Sequence, residues 1–334
     1  MRLEQIDLAT WESELPTSGF EVFHSPPALR TLDEHSSSEM TLYAGYKGQQ
    51  AVGLAPLFVD RRTVGRATLS PPPAMGVSRL GPLVMPTSPK PRKQESVNNE
   101  FVELLLEEVT TGSSRSLLRL ECPLGYDDPR PFGWADLEVE PRFTYVVDLA
   151  DTTSDAVLSR FSTGLRREIR DGRELDVAVD VEGMDGAMAV YQDVQDRYDE
   201  QGESFPLSRA YYRDLLSTLD DRWRAYVARG PDGDYLGGVT VLYSNDLATF
   251  WQGGVRADHE GVSLNSLIHW RIIEDVIEDP PVDSVSGYDL VGANTPRLCR
   301  YKAKFAPELR TYYTVESGGV GMSVAKRAYR MVSR

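Results

Sequence analysis

The chain has 334 residues, 51 acidic side chains against 36 basic ones, a formal net charge of −15 and two cysteines. Its 41% hydrophobic and 9% aromatic content excludes a disordered chain, and Cys122 and Cys299 are too few for a disulfide framework or a cysteine zinc site. No run of 18 apolar residues predicts a membrane helix, and the opening MRLEQIDLATWESELP has neither the basic nor the apolar region of a secretory leader.

Taken in order, residues 1–20 read as a short strand and a helix, and Ser25-Pro26 as a helix start. Strands over 40–46 and 51–59, joined by Lys47-Gly48-Gln49-Gln50, read as a hairpin. Proline-rich 66–91 reads as loop with short extended pieces. Residues 98–110 have helical periodicity, and 117–121 and 143–149 read as strands. A second unit is expected from about 151. It begins with a helix capped at Thr153-Ser154-Asp155, a basic helix over 165–174 and a strand over 176–181. Amphipathic helices follow over 187–200 and 208–219, then strands over 223–229, 235–243 and 247–255. A helix over 263–278, a strand over 284–290, loop over 302–309, a strand over 310–315 and a basic helix over 322–332 complete the reading. The hairpins at 42–57 and 225–242 echo each other, each with a glycine early in its second strand, so an internal duplication is the economical reading.

The charge is uneven. Of the basic residues 30 are Arg and only six Lys, and 27 of the acids are Asp. Many acids with little Lys suggest a halophile's cytoplasm, where negative charge serves solubility. Residues 1–150 carry −7, residues 151–300 carry −13, and residues 301–334 carry +5. The scarce lysines make Lys302 and Lys304, two positions apart, candidates for chemistry. They point the same way if extended and diverge if helical. On the basic helix, Arg166, Arg170 and Arg173 share a face beside Arg167. They read either as a phosphate clamp or as partners of Glu168, Asp171 and Glu174. Tyr288-Asp289 ends a strand, where Asp289 could orient or deprotonate an amine or cap loop N–H groups. The four histidines lack metal spacing, so no metal site is expected.

Four stretches, in their order and spacing, resemble a known family. They are Phe161-Ser-Thr-Gly-Leu-Arg166-Arg167-Glu-Ile-Arg170; Val190-Tyr191 through Tyr211-Tyr212-Arg213; Ser263-Leu-Asn265-Ser-Leu-Ile-His-Trp270; and Tyr288-Asp289-Leu290 through Tyr301-Lys302-Ala-Lys304-Phe305. Together they resemble GNAT-fold acyltransferases of the Fem-type aminoacyltransferase and cellulose-biosynthesis-type (BioF2-like) acetyltransferase group. The resemblance implies an α/β (α+β) fold of tandem GNAT-like domains, with mixed, mostly antiparallel sheets flanked by helices. The domains are expected at 1–150 and 151–316, the second catalytic, with a basic helix at 317–334 docking back on the body or touching anionic lipid.

The resemblance further implies direct transfer of an acyl group from acyl-CoA, as acetyl-CoA, to an amine or hydroxyl of an amino-sugar or cell-envelope-precursor acceptor, in a cytoplasmic protein without DNA. Aminoacyl-tRNA is the alternative donor, and a non-catalytic binding protein the alternative role. By the same resemblance Lys302, Asp289 and Tyr288 are the catalytic candidates, with Lys302 near the transferred group. Arg166, Arg167, Arg170, Arg256, Gly261, Ser263, Asn265 and Lys304 are the donor-binding candidates. The stretch Val255–Asn265 keeps one Arg and one Gly of the family's phosphate loop but adds acids, so Ser263 or Asn265 reads equally as a helix cap.

Overall fold

A computed structural model describes residues 1–62, 65–110, 116–254 and 259–318. In chain order the elements are β1 (Arg2–Ile6), α1 (Leu8–Glu14), α2 (Pro26–His35), β2 (Glu39–Lys47), β3 (Gln50–Arg62), β4 (Gly65–Ser70) and β5 (Leu83–Val84). Then come α3 (Pro91–Thr110), β6 (Ser116–Glu121), α4 (Arg130–Trp134), β7 (Leu137–Asp148), α5 (Ser154–Arg160), α6 (Thr163–Gly172), β8 (Ala178–Glu182), α7 (Met184–Glu200) and α8 (Arg209–Thr218). The last are β9 (Trp223–Arg229), β10 (Tyr235–Tyr243), β11 (Leu247–Gly254), α9 (Leu264–Glu278), β12 (Gly287–Asp289), α10 (Pro296–Lys302) and β13 (Glu308–Ser317).

The chain divides into two units, one of residues 1–142 with the segment from Thr311 onward, the other Phe143–Arg310. In the first unit the strands run β1-β2-β3-β4-β6-β13, with β5 on β3. Every pairing described there is antiparallel except β4 with β6, which α3 connects. The α3 helix sinks Phe101 into the hairpin at a registered glycine pair: a Cβ on Gly45 or Gly53 would stand 2.6 or 2.7 Å from its ring. Buried Arg79 pairs with Glu21 at 2.7 Å, and Glu21 also accepts from the Leu124 N–H.

The second unit repeats the plan. Its strands run β7-β12-β11-β10-β9-β8, antiparallel except β11 with β12, which α9 connects. The β9–β10 turn closes on Gly233 at φ +83°, a backbone state glycine enters freely. Ser162 caps α6 and Ser208 caps α8 through their hydroxyls, satisfying first-turn N–H groups. The α9 helix is buried at ten positions because α6 and strand β9 both pack on it. Buried Asp275 on α9 accepts from Arg224 and from Tyr226 of β9, and from Arg271 at 3.3 Å.

The fold class is as expected: tandem α/β units with mixed, mostly antiparallel sheets. The short extended pieces expected within 66–91 include strand β4, which forms because β3 and β6 flank it and supply ladder partners on both edges. One local expectation differs. The expected loop at 302–309 begins instead with the end of α10 and a 3₁₀ turn over Ala303–Phe305. Pro296 starts that helix at its first turn, and Ala306, at φ +49° before Pro307, stops it. The predicted helix at 322–332 lies outside the described residues.

Candidate active site

The site is built on the parallel pair of the second unit. β11 and β12 are hydrogen-bonded for only three residues, Leu247–Thr249 against Gly287–Asp289. Beyond that point Phe250–Gly254 continue along β10 alone. Trp251 is bulged, since Thr240 faces Gln252 while Val241 faces Phe250. Bulges bend a strand and raise its twist, and this one lies where β11 leaves β12. In the first unit β4 and β6 pair over five residues of six-residue strands, so the corresponding seam there is closed. The second unit therefore has an open seam floored by β11, with α9 following it.

Gly253 and Gly254 end β11 at φ +126° and +118°. A Cβ on Gly253 would run into the Gly238 carbonyl and stand 2.7 Å from the Val239 α-carbon, so only glycine fits. Trp251 stacks on Tyr212 at 4.8 Å, and the Tyr212 hydroxyl meets Thr240 Oγ1 at 2.6 Å.

On the α9 side, His269 is buried in a cage of Phe250, Tyr288, Tyr301 and Phe305. Its Nδ1 and the Tyr288 hydroxyl are 2.9 Å apart. Burial, reinforced by the nearby Lys302 charge, pushes the imidazole down to about 3, so it is neutral at pH 7. Burial holds the Tyr288 phenol well above its ordinary value. Tyr288 thus faces the aromatic cage.

The structure brings Asp289 and Lys302 to one turn. Asp289 Oδ1 accepts from Thr144 Oγ1 at 2.6 Å and from the Val291 N–H at 2.8 Å. The Lys302 ammonium donates to the Val291 and Gly292 carbonyls, the latter at 3.1 Å. Burial lowers the ammonium's pKa while Asp289 raises it, and burial prevails. Val291 has φ +52°, a costly state for a β-branched residue.

Lys304 diverges from Lys302, as helical spacing requires. It pairs with Glu168 of α6 at 2.9 Å, and Glu168 also accepts from Ser266 at 2.7 Å. On α6, Arg167 and Arg170 both bond Asp171, and Arg173 pairs with Glu274 of α9. Arg166 reaches only Thr163 Oγ1 at 3.4 Å, so among the described residues it is the α6 arginine without an acidic partner.

In the loop before α9, His259 and Val262 exchange both backbone hydrogen bonds at 2.9 Å around Glu260 and Gly261, at φ +50° and +80°. That is a two-residue type I′ turn, with open space around Gly261. Ser263 precedes α9 but makes no side-chain cap bond. Asn265 reaches back to β11, its Oδ1 3.6 Å from the Cβ position of Gly254. Arg256 lies outside the described residues. Among the described residues no group of three His, Cys, Asp or Glu could hold a metal, and no helix is long and apolar enough to cross a membrane.

The sequence reading missed Arg197 of α7, which reaches Gly254, and Tyr235 of β10, whose hydroxyl lies beside Gly238. Their signal was indirect: Gly237-Gly238 and Gly253-Gly254 stand inside strands, where glycine marks a close approach.

A three-strand antiparallel run, a bulge, an open seam and a helix leading to a parallel strand define a GNAT-type domain, here one of two in tandem. Residues 159–303 match the acetyltransferase (GNAT) domain family. The whole chain is similar in fold to FemX, at TM-score 0.72 and 11% identity over 100% of both chains. It is also similar to L-PGS from Bacillus licheniformis, at TM-score 0.55 and 12% identity over 99% of this chain and 98% of that one. A tandem GNAT protein from the clavulanic acid biosynthesis pathway matches at TM-score 0.53 and 14% identity, over 95% and 99%. No curated protein matches the chain.

Proposed function

We propose that the second unit transfers an acyl group from acyl-CoA to an amine or hydroxyl by direct attack, with no covalent enzyme intermediate. The observation that carries this is the open seam beside Thr249 and Asp289, floored by Phe250–Gly254. It offers an extended thioester arm a slot with unpaired strand backbone on one side. Preorganised N–H donors of that kind stabilise the oxyanion that develops on the acyl carbonyl. The cysteines do not suit a covalent route: Cys122 is buried with its thiol pushed far up by burial, and Cys299 has no histidine beside it in sequence.

In this reading Arg166, with Arg167 and Arg170 behind it, meets the donor's phosphates together with Ser263 and Asn265 at the start of α9. Lys302 and Asp289 hold the turn at the mouth of the seam, and Lys304 ties that turn to α6. The acceptor is an amino sugar or another cell-envelope precursor, and the setting is the cytoplasm.

One observation favours a second donor. His259 and Val262 use their N–H groups on each other, which leaves fewer for a pyrophosphate. Aminoacyl-tRNA is therefore the second reading. Most α6 arginines are already ion-paired, which argues against the broad basic surface that a tRNA needs.

The test is a thermal shift in KCl with acetyl-CoA, CoA and charged tRNA, followed by thiol release from acetyl-CoA. Stabilisation by acetyl-CoA and thiol release on adding amines are the expected result. Stabilisation by charged tRNA alone selects the second reading, and no shift with any donor overturns both.

A further inference from the structure

Lys302 and Lys304 anchor a short strap to two parts of the second unit. The Lys302 ammonium donates to the Val291 and Gly292 carbonyls just after β12. Lys304 is held by α6 twice. Its carbonyl accepts from the N–H of Ser162, the α6 cap, at 2.9 Å, and its ammonium pairs with Glu168 at 2.9 Å. Phe305 ends the strap, buried edge-on against Phe161 and His269.

Glu168 does more than close an ion pair. Its Oε1 takes the Lys304 ammonium, and its Oε2 takes the hydroxyl of Ser266, in the first turn of α9, at 2.7 Å. One carboxylate therefore joins three segments: α6, the start of α9 and the strap. In the acyltransferase reading above, the first two meet the donor's phosphates, through Arg166 and through Ser263 and Asn265. The strap brings Lys302 to the mouth of the seam.

Stability does not account for this arrangement. The Lys304 and Glu168 side chains are 36% and 30% exposed, and ion pairs open to water add little. Nor does α6 need Glu168 to stay on α9. Gly172 packs so closely that a Cβ there would stand 2.6 Å from the Leu267 side chain, and Arg173 pairs with Glu274 at 2.7 Å. What Glu168 adds is a fixed distance between the strap and the start of α9. A carboxylate with both oxygens engaged sets direction as well as distance.

Resting on that reading, we propose that Glu168 is a positioning residue. It sets the strap, and with it the turn that Lys302 holds, against the helix ends that bind the donor. It acts through Lys304 and Ser266. A misplacement of about 1 Å costs up to about a hundredfold in rate, so the link shows in turnover rather than in donor affinity.

The experiment follows thiol release from acetyl-CoA in Glu168→Ala, Lys304→Ala and the double variant. Glu182→Ala is the control, because it breaks a similarly exposed pair with Arg229, between β8 and β9. Each of the first two should lower kcat by about tenfold and move the KM for acetyl-CoA less than about twofold. The double variant should be no slower than either, because both changes cut one linkage. Melting temperatures should stay within about 3 °C of the unmodified protein, and the control should keep its kcat. Unchanged kcat in Glu168→Ala, losses that multiply in the double variant, or an equal loss in Glu182→Ala overturns the inference. So does turnover that falls only together with melting temperature, as a purely structural role would give. Each of these leaves the acyltransferase reading standing. No thiol release by the unmodified protein with any amine or hydroxyl acceptor removes that reading instead, and the inference falls with it.

Discussion

Asp289 and Lys302 hold one residue by its two backbone ends: the carboxylate accepts the Val291 N–H, and the ammonium donates to the Val291 carbonyl. Between them Val291 is kept at φ +52°, a conformation a valine would leave if released. Lys302→Met should therefore leave two carbonyls unpaired and cost about 1–2 kcal/mol of stability. In the proposed reaction it should also lower turnover more than donor affinity, because the turn at the seam's mouth loses its shape. Urea unfolding and thiol-release kinetics measure the two effects. Unchanged stability would show that the lysine does not hold the turn.

Gly253→Ala is expected to be the most damaging single methyl in the second unit. The added carbon would strike the Gly238 carbonyl and the Val239 α-carbon, and φ +126° disfavours any L side chain. A loss of about 3 kcal/mol or more is expected, from overpacking plus backbone strain. Gly261→Ala is the control: it keeps a positive φ but meets open space, so it should cost about 1 kcal/mol. Equal losses in thermal unfolding would contradict the close strand approach at Gly253.

Much of this architecture was legible because each element carried a local signal. Hydrophobic periodicity located α7, α8 and α9, and the glycine turns located both hairpins. The tandem plan followed from the echo between them. What was illegible depended on contacts distant in sequence. Strand β4 has a proline-rich sequence after it and forms through its neighbours β3 and β6. Lys302 and Lys304 were picked out by rarity, but their partners, Val291 and Glu168, lie on other elements. Arg197 and Tyr235 looked like ordinary residues of an amphipathic helix and a strand. Only the register between Gly238 and Gly254 brings them together.

His269 makes stability depend on acid. Its folded value is pushed down to about 3 from the ordinary 6.5, so between those values the unfolded chain binds a proton that the folded one does not. Stability is then full above about pH 6.5 and falls as pH drops toward 3, by up to about 1.4 kcal/mol per pH unit. His24, buried and lowered in the same direction, adds a term of the same sign. His269→Phe should reduce the slope without abolishing it. Melting temperature against pH for both proteins reads this, and an unchanged slope would mean that the imidazole titrates in the fold.

The buried carboxylate of Asp275 joins α9 to β9 through Arg224 and Tyr226, and bonds Arg271 within α9. Truncating it to alanine removes the buried counter-charge of both guanidiniums, leaving Arg224 with exposed Asp279 and the Tyr226 phenol with Tyr243, which costs up to about 3–5 kcal/mol. Exposed pairs such as Arg130 with Asp128 are worth under about 1 kcal/mol and are screened by salt. The loss from Asp275→Ala should therefore persist in molar KCl, whereas the loss from Asp128→Ala should fade. Replacing both partners, Arg224→Met with Asp275→Leu, should recover much of the stability, because an apolar pair needs no desolvation of charge. Urea midpoints of the single and double variants at low and high salt decide it. If the double variant is no more stable than Asp275→Ala, the penalty comes from lost packing of α9 rather than from stranded charge.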